Sequence, residues 1–273
     1  MRPSGGLVVT LLAALTGAVA LLTACGAAAD PAGPAAGAQD PARDTPRDTT
    51  LVVLAAASLS DVLPDVGRTF EEQHPGTTVT FSFAGSSGLV QQVLAGAPAD
   101  VLVTASAQTM ARAVDAGAVA GEPVVVATNH LVLAVPAGNP AGVDGLADLA
   151  ADDLLVALCA EQVPCGAAAE RVLDAAGVTA APDTLEQDVR AVLSRLRLGE
   201  VDAGLVYATD VAAADGAVES LPLPADLQDA AATDYPAAVL AGAAEPAAAG
   251  ELVDLLASAT GAAALRRAGF EVP

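Results

Sequence analysis

The sequence predicts an α/β fold in which mostly parallel sheets are flanked by helices, and three observations carry that expectation. Short runs rich in Val and Leu alternate with helix-length segments from Leu51 onward, and strands alternating with helices are the pattern of parallel sheets. Several joins between an apolar run and the next helix carry polar or small residues, and these are the places where open α/β sheets hold ligands. The 273 residues are enough for one large domain or for two lobes of roughly 100 to 130 residues, each with its own core. No internal repeat is evident.

The first element is an export signal at residues 1–25. Arg2 supplies a positive start, Leu7 to Leu22 forms an apolar run of 16 residues, and small residues follow. A spanning helix wants about 20 residues, so this run reads as a leader. Leu22-Thr23-Ala24-Cys25 resembles a bacterial lipobox. That resemblance implies cleavage before Cys25 and a lipid on its thiol, which would hold the chain to the outer face of the cell membrane. Ordinary cleavage near Ala29 and a freely secreted protein is the alternative. Residues 26–49 are rich in Pro, Ala and Gly without apolar periodicity, the composition of a disordered tether.

From Leu51 onward, apolar runs at 51–56, 79–83, 101–104, 124–126, 131–135, 154–158, 203–207 and 236–241 predict strands. Segments at 59–74, 88–96, 107–116, 166–176, 188–198 and 247–268 predict helices. In "LVVLAAASLSDVLPDVGRTF", Ser58 follows the first strand and has Asp61 three residues on, close to a capping box. Gly85-Ser86-Ser87-Gly88 joins the second strand to its helix. Val163-Pro164-Cys165-Gly166 places Pro at a helix start. Asp188 reads as the cap of a helix whose first turn holds Val189, and "GLVYATDV" ends a strand at Tyr207. Asp100 reads as an acceptor at a strand start, and Asp210 as a cap or turn residue.

Charge narrows the function. There are 33 acidic residues against 11 basic ones, all Arg, for a net charge of −22. Such a field repels polyanions, so nucleic acid is not an expected partner. A small anion is a different matter. Helix N-termini carry unsatisfied N–H groups and partial positive charge, so several of them meeting in one cleft make an anion site without Lys or Arg. No basic residue adjoins Ser58, Ser86, Cys165 or Tyr207 in sequence, although Arg190 follows Val189. Surface charge is screened beyond about 8 to 10 Å, so short-range donors can prevail over it.

The segments "AAASL", "SFAGSSGL", "AGAPADVLVTA", "EQVPCG", "QDVRAVL", "GLVYATDV" and "LRRAGFEVP" are similar, in order and spacing, to those of the periplasmic molybdate-binding proteins of ABC transporters. The resemblance covers residues 50–273. It implies a type II periplasmic-binding-protein fold of two lobes with the ligand cleft between them: residues 50–127 and 234–273 in the first lobe, 128–233 in the second, with crossings near Asn129 and Asp234. It implies no enzymatic activity and no cofactor. The ligand is molybdate, with tungstate nearly the same in size and charge; the oxyanion is the only metal species expected. The partner is a transmembrane permease, and the chain is expected to be a monomer. Carried over by residue, Ser58 and Ser86 supply hydroxyls from the first lobe; the Cys165 and Val189 amides and the Tyr207 hydroxyl come from the second. Ser58 would then be both cap and ligand.

One departure is Cys165, where relatives have a small residue. Only the amide is needed there, so the donor survives. Cys159 lies six positions earlier, and outside the cytoplasm the pair could form a disulfide or remain two buried thiols. Competing readings stay open. Sulfate, phosphate or an organic anion could occupy the same body, although a monoprotonated ligand calls for a carboxylate acceptor that these joins lack. A hydrolase built on Ser86 with His74 is disfavoured, because "GSSG" is not the G-x-S-x-G elbow. A purely structural lipoprotein would bind nothing.

Overall fold

The computed structural model describes residues 49–273. The leader, Cys25 and the tether through residue 48 lie outside the described residues. Nine strands are present among the described residues: β1 (Thr49–Ala56), β2 (Thr77–Ala84), β3 (Val101–Val103), β4 (Val119–Pro136), β5 (Val156–Cys159), β6 (Thr184–Glu186), β7 (Ala203–Tyr207), β8 (Val218–Leu221) and β9 (Ala232–Leu240). The helices are α1 (Leu63–Gln73), α2 (Ser86–Leu94), α3 (Ala107–Asp115), α4 (Pro164–Ala176), α5 (Val189–Leu198), α6 (Ala208–Ala212), α7 (Gln228–Ala231), α8 (Pro246–Ala257) and α9 (Ala259–Arg267).

The strands run in the order β2-β1-β3-β9-β4-β7-β5-β6, with β8 alongside β4. In one half, β1 lies parallel to both β2 and β3. In the other, β5 lies parallel to both β6 and β7. The antiparallel pairs β3–β9, β4–β7 and β4–β8 complete the two halves. The 18-residue β4 serves both, and β9 runs antiparallel beside it. Its pairs Ala127 with Tyr235, Thr128 with Asp234, Asn129 with Thr233 and His130 with Ala232 form the ribbon where the chain passes from one half to the other.

Each half buries its own core. Leu131, Leu133, Val156, Val172, Val192, Leu196 and Leu205 anchor one. Leu51, Val53, Leu59, Phe70, Val101, Leu252 and Leu265 anchor the other, continued on its opposite face by Leu54, Leu89, Leu102 and Met110. Near-continuous apolar strands such as Val101–Val103, buried throughout, are what a sheet covered on both faces requires.

Helix ends follow local chemistry. The Ser106 hydroxyl accepts from the Thr109 amide ahead of α3, and the Asp188 carboxylate accepts from the Ala191 amide ahead of α5. Pro164 opens α4, where a missing N–H costs nothing. Gly177 and Gly199 close α4 and α5 in the left-handed region, each with φ 65°, which a side chain would disfavour.

Several boundaries differ from the sequence expectation. The runs at 124–126 and 131–135 are one strand, because β9 pairs along its first part as far as His130 and β7 and β8 pair along the rest. β6 and β8 were not anticipated; "TLE" and "VESL" carry no apolar run. The helix expected at 247–268 breaks at Ser258, whose hydroxyl accepts from the Thr260 and Gly261 amides and starts α9 at 58° to α8. The helix expected from residue 59 starts at Leu63, after a single 3-10 turn at Ala57–Leu59.

Candidate functional site

The C-terminal ends of β1, β2, β5, β6 and β7 open onto one small cavity, the position at which open α/β sheets place ligands. Ser58, Ser86, Cys165, Val189 and Tyr207, the five residues singled out from sequence, all line it. Its volume is about 20 Å³. A single water needs about 10–15 Å³, so the space suits one compact ion and not an extended organic molecule.

Ser58 lies in the 3-10 turn, buried, with its Oγ 2.8 Å from the Tyr235 hydroxyl. The expected cap is corrected here: Val62 precedes α1 without any side-chain cap, and Asp61 pairs with Arg190 instead of closing a capping box. The tight turn buries Leu59 and Val62 in the core and leaves the Ser58 hydroxyl facing a phenol rather than a helix end. Ser86 is the first residue of α2, also buried, and its Oγ accepts from the Ala105 amide at 3.0 Å. Its neighbour Ser87 reaches across to the other half and donates to the Gln162 carbonyl at 2.6 Å.

Cys165 is the second residue of α4 and Val189 the first of α5. Their amides belong to the first turns, where no carbonyl of the same helix can receive them. A disulfide joins Cys165 to Cys159 at the end of β5, with Cα atoms 5.7 Å apart. Gly166 follows, and a Cβ there would run into the Ala160 carbonyl. This loop is therefore held by covalent linkage and by close backbone packing. Gly85, at the head of α2, has a similar constraint across the cleft: a Cβ on it would collide with the Gln187 carbonyl oxygen of the other half.

Tyr207 ends β7. Its hydroxyl is fully buried and has no hydrogen-bond partner among the described residues, and neither has the Thr233 hydroxyl. Burial pushes the Tyr207 phenol far above its ordinary range; the nearby Thr233 hydroxyl tempers the shift without closing a hydrogen bond, and Asp210 adds to it. The phenol therefore keeps its proton at neutral pH. A buried donor left without an acceptor is costly, and it is the one feature of the cavity that calls for something to fill it.

No Arg lines the cavity. Arg190 is turned aside, with Nη1 2.7 Å from Asp61 of the first half and 3.2 Å from buried Asp210. Burial raises the Asp210 carboxyl to about 6, opposed by Arg190 and by the Tyr207 amide that it accepts. Asp210 is thus more than a turn residue, since it anchors the strand end that carries Tyr207. Asp188 is the one carboxylate lining the cavity, and it caps α5. Asp100 accepts from the Val52, Ala244 and Glu245 amides, tying β1 to the segment before α8.

His74 stacks on Phe70 with ring centroids 4.0 Å apart and faces Glu251 at 3.4 Å. It does not line the cavity, so Ser86 has no His beside it. Sequence reasoning missed Tyr235, Thr233, Asn129 and the Asp61–Arg190 pair. Ser58 and Tyr235 are 177 positions apart, and no local pattern signals such a contact.

The arrangement, two α/β halves joined by a strand ribbon around a cleft lined with neutral donors, defines a solute-binding protein. The chain belongs to the bacterial extracellular solute-binding protein family, whose model matches residues 51–271. It is 38% identical over 259 residues to the molybdate-binding protein ModA of Mycobacterium tuberculosis, covering 93% of this chain and 94% of that relative. The periplasmic molybdate-binding protein of Azotobacter vinelandii superposes with a TM-score of 0.69 at 23% identity, over 82% of this chain and 99% of that one. The sulfate-binding protein SubI of Mycobacterium tuberculosis superposes with a TM-score of 0.71 at 19% identity, over 82% and 87%. The two structures establish a two-lobed type II periplasmic-binding-protein fold, and these relatives are binding proteins rather than enzymes.

Proposed function

We propose that this protein is the extracytoplasmic binding component of an ABC importer and that its ligand is molybdate, with tungstate accepted alongside it. The observation that carries the reading is a one-ion cavity whose donors are all neutral, with Asp188, the carboxylate in its lining, engaged in capping α5. Two serine hydroxyls, one unpaired phenol and the first-turn amides of α4 and α5 converge there without a single cation. Charge-assisted hydrogen bonds of this kind contribute about 1.5 to 3 kcal/mol each, and several together hold a dianion without protonating it. Similarity to a molybdate-binding relative along almost the whole chain supports the choice of ion. The fold does not make that choice, since a sulfate-binding protein shares it.

On this reading, Ser58, Ser86 and Tyr207 bind through hydroxyls, and Cys165 and Val189 through amides. The first lobe comprises residues 50–127 and 234–273 and the second 128–233, a division supported by the separate cores and the ribbon at Asn129 and Asp234. Ligand contacts to both lobes favour the closed state, and a monomer hands the ion to a membrane permease. The leader, a lipid on Cys25 and the 26–49 tether complete the proposal by keeping the binding body at the membrane. Loss of fatty-acid labelling in Cys25→Ser would test the anchor.

Titration calorimetry of the full chain in mild detergent with molybdate, tungstate, sulfate and phosphate tests the ligand. Molybdate and tungstate should bind tightly, and sulfate and phosphate weakly or not at all. Absence of heat with molybdate, or tighter binding of sulfate, would falsify the assignment.

A further inference from the structure

We propose that Tyr235 is a positioning residue for the anion: its hydroxyl donates to Ser58 Oγ and thereby commits the single Ser58 proton to the cavity. The inference rests on the reading of that cavity as an oxyanion site. Tyr235 itself does not line the cavity, so it acts through Ser58.

The argument is one of hydrogen-bond polarity. The Ser58 and Tyr235 oxygens are 2.8 Å apart and buried, and geometry alone allows either to donate. A dianion in the cavity tolerates only one of these states. If Ser58 donated to Tyr235, it would turn lone pairs toward the negative charge.

The bound charge selects the useful polarity. Ser58 has one proton, and with a dianion in the cavity that proton points inward, so the Tyr235 hydroxyl becomes the donor of the pair. Burial also drives the Tyr235 phenol well above its ordinary range, with Tyr207 adding to the shift, so that proton is not lost at any physiological pH. The ring is held in place by edge contacts with Phe270 and Tyr207, at 5.3 and 6.1 Å between centroids.

Ser86 reaches the same state without a relay. Its Oγ accepts from the Ala105 amide, which can only donate, so the Ser86 proton is likewise free to point inward. Ser86 is thus set as a donor by a backbone amide, and Ser58 by the Tyr235 hydroxyl. Preorganised donors of this kind avoid the cost of reorienting hydroxyls on binding.

The test is a double-mutant cycle read by molybdate affinity in the full chain. Tyr235→Phe keeps the ring and removes only the hydroxyl. It should weaken molybdate binding about 10-fold in the wild-type background, as expected for one hydrogen bond, and less than about 2-fold when added to Ser58→Ala. Ser58→Thr, which keeps the hydroxyl, should remain as sensitive to Tyr235→Phe as the wild type. Thermal unfolding of each ligand-free variant measures its folded population, so that affinity is compared per folded molecule. Equal losses in the wild-type and Ser58→Ala backgrounds, or no loss in the wild type, would overturn the inference. Failure of the wild type itself to bind molybdate would instead sink the oxyanion reading, and the two failures are distinct.

Discussion

The two halves of the molecule meet the cavity by different means. The first contributes Ser58 and Ser86, side-chain hydroxyls whose acceptor sides are occupied by Tyr235 and by the Ala105 amide. The second contributes main-chain groups at the heads of α4 and α5, together with the Tyr207 hydroxyl, which has no partner. Side-chain donors depend on residue identity, whereas amide donors depend on the backbone path. That difference explains why Cys165 can stand where a smaller residue would serve, and why the second half invests in a disulfide, a proline and Gly166 to hold its loop. The halves also differ in titration. The first is wired by neutral groups, while the second ties Tyr207 to Asp210, a carboxylate raised to about 6.

The largest expected effect exploits that last contrast. Because the folded pKa of Asp210 lies above the ordinary aspartate value of 3.8, its stabilising contribution is fully present below about pH 4 and is lost as pH rises through about 6. The difference amounts to about 3 kcal/mol at 1.36 kcal/mol per unit. Asp210→Asn should remove this component, and the difference between the wild-type and variant stability curves, measured by denaturant unfolding from pH 4 to 8, isolates it. A flat difference curve would place the pH sensitivity elsewhere. Next is Gly85→Ala, whose methyl group would strike the Gln187 carbonyl only when the halves are together. Overpacking of this kind costs about 1 to 3 kcal/mol, so ligand affinity should fall about 10- to 100-fold while the ligand-free protein unfolds normally.

Side-chain removal then separates the two kinds of donor. Ser58→Ala or Ser86→Ala should weaken molybdate binding by about 1 to 3 kcal/mol, and Ser86→Ala also strands the buried Ala105 amide. Cys165→Ala should leave affinity within about 3-fold, because the amide remains. Its cost should appear as stability instead, about 2 kcal/mol for opening a small disulfide loop on the chain-entropy model, visible as a lower unfolding midpoint that reductant reproduces in the wild type. If Cys165→Ala hurt binding as much as Ser58→Ala, the distinction between the halves would collapse. The smallest effect belongs to the pair that bridges them. Asp61→Asn removes a half-exposed partner of Arg190, and such pairs are worth about 0.2 to 1 kcal/mol; affinity should fall less than about 5-fold, and less still in high salt.

Much of this was legible in the sequence because it is local. The alternation of apolar runs and helices, Pro164 at a helix start and the Asp188 cap all depend on neighbours within a few residues. All five expected residues line one cavity because each sits at a strand end, where the α/β pattern already concentrates such groups. What escaped is what distant pairing decides. β4 continues past Gly121 and Pro123 because β9 pairs with it on either side of them, and "VESL" is a strand only because β4 lies alongside. The Ser58 hydroxyl looked like a helix cap because its phenol partner is 177 positions away. Arg190 and Asp61, 129 positions apart, are equally invisible to local reading.

The ribbon between the halves has a consequence beyond connectivity. Thr233 and Tyr235 lie two residues apart on β9 and so project to one side of it, while Asn129 sits directly opposite Thr233 on β4. On the proposed hinge reading, the strip of backbone that flexes is the same one that carries Tyr235, the partner of Ser58, so parting the lobes would loosen the hold on the ion from within as well as by separating the walls.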